Sequence, residues 1–187
     1  PYKENFSPIY PGAVSLFVKD TAKISKYKSN IIVYGNTKYK KTFPVKYSNI
    51  ALSNFKLQSK SKQYVSKFIQ IEKDNPSDLI EVHNRPNYLI EIVKNLAKKN
   101  LVLYFHNDPL TMTGSKTINE RKFLLKNCYK IIFNSNWSKK RFLEGMENKF
   151  INSNKLLVFF QSAKKNELKI IKQKKKWITF VGKLNKA

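Results

Sequence analysis

With 187 residues, 41% apolar and 13% aromatic, the chain can bury one good core and is too short for two full domains. A single cysteine, Cys128, excludes a disulfide framework and fits a reducing, cytoplasmic setting, and no run approaches the roughly 20 apolar residues of a membrane span. The formal charge of +25 comes almost wholly from lysine, with arginine only at positions 85, 121 and 141, so a protein that forks onto bases or phosphates through arginine is a poor fit.

The start at Pro1 carries no initiator Met and no signal-peptide core, and reads as a trimmed start. Tyr10-Pro11-Gly12-Ala13 precedes a helix predicted over 14–28. Val14, Phe17, Val18 and Ile24 form its apolar stripe, and Lys19, Lys23 and Lys26 a basic one. A short buried strand over 30–34 closes at Gly35. Residues 36–48, with Pro44, read as loop or edge structure, and 50–52 as a weak strand. A helix over 60–72 turns Val65, Phe68 and Ile69 to one face. A strand over 78–82 ends at His83. Arg85-Pro86 then opens a helix with Leu89, Ile92, Val93 and Leu96 at helical spacing.

The continuous apolar run 101–105 is a strand ending at His106, followed by a polar loop over 107–116. Thr117 and Glu120 have the spacing of a capping box for the next helix. A strand over 130–133 runs into Asn134-Ser135-Asn136, which caps a helix over 137–144 stopped by Gly145. A strand over 156–160 follows. Residues 163–176 read as a basic linker or exposed helix, and 177–181 as a new strand. The alternation predicts an α/β fold: an open, mainly parallel sheet with helices on both faces. Such a sheet ordinarily begins with a strand, so a leading strand is expected to be absent here.

Open α/β sheets bind ligands beyond the carboxyl ends of their strands. Gly12 and Ala13, His83 and Asn84, His106 with Asn107 and Asp108, and Ser135 all fall at such ends or at the helix starts that follow them. Each has a plain reading too: a Pro-Gly turn, a structural strand-end histidine, a simple helix cap. The two histidines are the only ones in the chain, and both end a strand. There is no Gly-x-Gly-x-x-Gly, Walker A, nucleophile elbow or Asp-x-Asp pair, and no zinc spacing. Dinucleotide enzymes, epimerases, methyltransferases and metal-dependent sugar transferases lose their usual signature.

The order of these features resembles the N-terminal domain of family 4 glycosyltransferases, which have the two-domain GT-B fold. Pro11-Gly12-Ala13 stands where that family has a glycine loop. Asp78-Leu79-Ile80-Glu81-Val82-His83-Asn84, Leu103-Tyr104-Phe105-His106-Asn107-Asp108 and Ile131-Ile132-Phe133-Asn134-Ser135 match its strand ends, and Phe180-Val181-Gly182-Lys183-Leu184 the opening of its second domain. The resemblance implies an acceptor-side Rossmann-like domain over 1–162, a linker over 163–176, and the start of a donor-binding domain over 177–187. It also implies transfer of a sugar from a nucleotide-sugar to a glycan or lipid-linked acceptor, with retention and without a metal or cofactor. Gly12 would lie near the diphosphate, Lys183 would hold it, and His106 would sit at the reacting groups. The chain alone is expected to be inactive. The lysine surplus is open to three readings: compositional drift on solvated faces, attachment of the Lys19/Lys23/Lys26 face to an anionic membrane as a peripheral protein, and, least favoured, nucleic-acid binding.

Overall fold

The computed structural model describes residues 4–54, 58–96 and 100–161. The predicted linker over 163–176, the strand over 177–181 and Lys183 lie outside them. Helix α1 spans Ala13–Ile24, strands β1 and β2 Val33–Gly35 and Tyr47–Asn49, and helix α2 Lys60–Asp74. Strand β3 (Leu79–His83), helix α3 (Pro86–Asn95) and strand β4 (Asn100–Phe105) follow. Then come helix α4 (Ile118–Asn127), strand β5 (Lys130–Phe133), helix α5 (Asn136–Leu143) and strand β6 (Leu156–Val158).

All pairings are parallel, as the alternation of strands and helices requires. The expected single sheet is two among the described residues: β1 pairs only with β2, and β3-β4-β5-β6 form a four-stranded sheet in sequence order. Both belong to one body, because Ile50, just after β2, joins the same core as Ile80 and Leu89. The Tyr64 hydroxyl of α2 also donates to the Tyr34 carbonyl of β1 at 2.9 Å.

Strand alternation divides the four-stranded sheet into two unlike faces. Ile80, Val82, Leu101, Leu103, Phe105, Ile131, Phe133 and Leu156 point to one side and pack with Leu89 and Ile92 of α3, Leu124 and Leu125 of α4 and Phe142 of α5. Phe105, Phe133 and Phe142 are fully buried there, with ring centroids 5.3–5.7 Å apart. The other side carries Glu81, His83, Val102 and Tyr104. It is met by Phe17 of α1, 4.9 Å from the Tyr104 ring.

Several element ends differ from the sequence reading. Helix α1 stops at Ile24, because Ser25 is extended at ψ 139°, so Lys26 lies beyond it. Ile24 is 84% exposed and is not part of the apolar stripe. At about 100° per residue it falls some 80° from Val14, and the buried arc is instead Val14, Ser15 and Ala22. The strand near 50–52 sits earlier, at Tyr47–Asn49, and limits β1 to three residues. Strand β6 ends at Val158 because its partner β5 ends at Phe133, which leaves the Phe159 and Phe160 rings exposed. The capping box at Thr117 and Glu120 is formed as read. No helix among the described residues is long and apolar enough to cross a membrane.

Two glycines take left-handed backbone, and they differ in what surrounds them. Gly145, at φ +73°, ends the α5 region, and a Cβ there would touch only the Ile118 side chain at 3.4 Å. Gly114, at φ +95°, lies against the first turn of α3, where a Cβ would meet the Asn87 backbone nitrogen at 2.5 Å. Gly145→Ala is expected to cost about 1 kcal/mol in urea unfolding, and Gly114→Ala roughly 3 kcal/mol, since backbone must move as well.

Candidate active site

At the carboxyl edge of the four-stranded sheet the two histidines meet. His83 is the last residue of β3, paired with Tyr104 of β4, and His106 lies two residues further along the same face. His83 Nδ1 and His106 Nε2 are 2.9 Å apart. The half-exposed Glu81 carboxylate is 2.8 Å from His83 Nε2, and the Gln161 amide nitrogen is 2.8 Å from His106 Nδ1. Tyr104 stacks on His106 with centroids 4.6 Å apart, and Phe17 meets the same imidazole edge-on at 4.9 Å.

Two asparagines shape the backbone around this pair. Asn84 is buried and left-handed at φ 53°, a conformation that asparagine tolerates better than most residues. Its carboxamide oxygen accepts from the backbone N–H of His106 at 2.8 Å and of Asn107 at 3.3 Å, which curls the loop after β4 back over β3. From the other side the Asn134 side-chain nitrogen donates to the His106 carbonyl at 2.8 Å. His106 is thereby held from both neighbouring strands.

The remaining predicted residues divide between the site and the scaffold. Ser135 caps α5, accepting from the Ser138 N–H at 3.1 Å, and Asn134 is the residue that reaches His106. Asp108 accepts from the Leu110 N–H at 3.0 Å and pairs with Arg141, so it braces the loop. Asn107 is exposed and meets Asn84 through its backbone. Gly12 caps α1 with extended backbone, and its open side is covered by the Glu4 carboxylate. Ala13 begins α1 and is exposed. Lys19 is drawn inward, 2.8 Å from Asp20 and over the Phe43 ring, while Lys23 and Lys26 are exposed. The sequence reading singled out Asn134 with Ser135 at a strand end, and missed Glu81, Tyr104, Phe17 and Gln161 as site residues. Glu81 and Tyr104 were open to discovery by strand alternation from His83 and His106; Gln161, 55 residues from its partner, was not. Among the described residues no group of three or more His, Cys, Asp or Glu side chains is placed to hold a metal.

The electrostatics follow from burial. Desolvation, helped by the adjacent His83 and opposed by Glu81, pushes the His106 imidazole down to about 3. Burial raises the Glu81 carboxyl, but the His83 hydrogen bond and the two imidazoles outweigh it and leave it below its usual range. Burial pushes the Tyr104 phenol up to about 12, which keeps it protonated and donating to the Phe159 carbonyl at 3.1 Å.

Comparison with known proteins comes from structure alone. No protein-family model matches the sequence, and no curated protein matches it. The fold is similar to that of Anabaena HepE (Alr3699). The structure with UDP-glucose superposes at TM-score 0.56 and 18% identity, over 85% of this chain and 42% of that one. The structure with UDP and glucose gives 0.58 and 18%, over 87% and 44%. The chain thus spans less than half the length of these structures, and what it shares with them is the Rossmann-like α/β fold.

The depressed His106 fixes the sign of a pH effect. An unfolded histidine titrates near 6.5, so between that value and about 3 the unfolded chain binds a proton that the folded chain refuses. This contribution to stability is complete above about pH 6.5 and is lost as pH falls through the window. Urea midpoints of the wild type are expected to drop between about pH 7 and pH 4, and those of His106→Gln to drop less, by up to one proton's worth of slope.

Proposed function

We propose that this chain supplies the acceptor-side half of a GT-B glycosyltransferase, over 1–162, joined by the basic segment 163–176 to a donor-binding half beginning at 177. The observation that carries the reading is the hydrogen-bonded histidine pair at the carboxyl edge of adjacent parallel strands. The likeness to a fold that in HepE holds UDP-glucose supports a nucleotide-sugar as the ligand class.

The reaction proposed is transfer with retention, without metal or cofactor. The bond from the anomeric carbon to the diphosphate breaks as the acceptor oxygen bonds to that carbon, and the hydroxyl proton leaves with the diphosphate. Stabilisation of the departing charge falls to helix N-termini, such as that of α1 behind Gly12, and to Lys183. His106 is neutral at physiological pH and contributes hydrogen bonding and orientation rather than charge. Asn84, Asn107, Asp108 and Ser135 belong to the scaffold that presents it.

In the enzyme assayed with UDP-glucose and a glycan acceptor, His106→Ala is expected to lower kcat by about 10²-fold, a magnitude typical of lost orientation, while the protein stays folded. Absence of sugar transfer from any nucleotide-sugar, together with tight RNA binding that weakens steeply with salt, would move the protein to the nucleic-acid class.

A lipid-linked acceptor and peripheral attachment to an anionic membrane extend the proposal. Lys23 and Lys26 are exposed near the end of α1, and each lysine near such a surface contributes about 1 kcal/mol. The expected result is co-sedimentation with phosphatidylserine vesicles that falls several-fold in Lys23→Glu/Lys26→Glu. Equal recovery with neutral vesicles would count against a membrane role.

A further inference from the structure

Glu81, His83, His106 and Gln161 make an unbranched chain of polar contacts of 2.8, 2.9 and 2.8 Å. The protons along it follow from what each group can do. An ionised carboxylate only accepts, so the proton at its end of the chain sits on His83 Nε2. In a neutral imidazole the other nitrogen is then a bare acceptor, so His83 Nδ1 takes its hydrogen bond from His106 Nε2–H. That leaves His106 Nδ1 as a lone pair, and the group facing it is an amide NH2, a donor. Tyr104 stacks on both imidazoles and sends its own hydroxyl proton to the Phe159 carbonyl, so it holds the planes without altering the order.

We propose that Glu81 and His83 are positioning residues that lock His106 in its Nε2–H form, and that the Gln161 amide stands in for the ligand hydroxyl that His106 Nδ1 accepts. The hydroxyl's identity as a sugar hydroxyl rests on the glycosyl-transfer reading; the proton order does not. Gln161 is exposed and enters from beyond β6, so it leaves without disturbing the sheet. Without Glu81 the pair has two nearly equivalent arrangements, and His106 spends part of its time with the proton on Nδ1, where it repels a hydroxyl's hydrogen.

The chain has only two histidines, so ring-nitrogen NMR of the full chain resolves both side chains directly. At neutral pH the wild type is expected to show both rings protonated on Nε2 and bare on Nδ1. Glu81→Gln retains a carbonyl acceptor and should keep this pattern, whereas Glu81→Leu should give His106 a mixed population. Gln161→Ala should move the His106 Nδ1 signal to that of an unbonded lone pair and leave Nε2–H in place. Melting curves taken alongside confirm that each variant is folded. A wild-type His106 carrying its proton on Nδ1, with His83 protonated on both nitrogens and the Gln161 amide turned over, overturns the proposal. An unchanged pattern in folded Glu81→Leu does so as well. None of these signals depends on turnover, so a failed transfer assay and a failed proton order are told apart.

Discussion

The site depends on one short backbone manoeuvre, the left-handed turn at Asn84. Parallel strands carry same-face side chains side by side but do not bring the residues that follow them together. His106 lies two residues past the partner of His83, and an unconstrained loop would carry it away from β3. The Asn84 carboxamide prevents this by accepting the N–H groups of His106 and Asn107. Only a short polar side chain at φ 53° reaches both from the end of β3. The imidazole–imidazole hydrogen bond, the stacking on Tyr104 and the reach of Gln161 all follow from that turn.

The two faces of the sheet then acquire different work. One is an apolar core of residues from β3 to β6 and four helices, α2 to α5. The other carries a buried phenol, two partly buried imidazoles and a half-exposed carboxylate, each with a hydrogen-bonding partner. Polar groups held in a dry environment cost stability unless paired, so such a cluster persists where its members satisfy one another. The arginines do comparable work elsewhere. Buried Arg121 donates to the carbonyls of Arg141 and Glu144 at the end of α5, Arg141 pairs with Asp108 and Glu144, and Arg85 donates to the Asn84 carbonyl. The charge left for solvent or for a surface is therefore lysine charge.

Much of this was legible in the sequence because it is local. Strand and helix types follow from apolar spacing. The capping box at Thr117, the cap at Ser135 and the breaker at Gly145 are contained in a few neighbouring residues, and the strand-end placement of His83 and His106 follows from the runs before them. What escaped is non-local or depends on backbone conformation. The split into two sheets depends on pairings across 12 or more residues, the role of Asn84 on a positive φ, and Gln161 on a contact across 55 residues. Lys19 looked like one of a solvent-facing row, but its ammonium lies over the Phe43 ring and against the Asp20 carboxylate, and Phe43 is 24 residues away in the chain.

A neutral imidazole is a reasoned choice for a site in so basic a chain. Were His106 charged, it would need a carboxylate of its own, because its two nitrogens face His83 and the Gln161 amide, neither of them an anion. Burial against Tyr104 and Phe17 makes the charged form costly, and His83 occupies one of its two nitrogens. What remains is a single directional acceptor, held from two strands and facing the exposed Gln161 amide. A group of that kind discriminates by geometry: it rewards a hydroxyl placed within about 3 Å along one direction and offers little to a diffuse negative charge. In the proposed enzyme this separates two tasks. Lysines and helix starts attract the diphosphate, and the histidine pair orients the sugar.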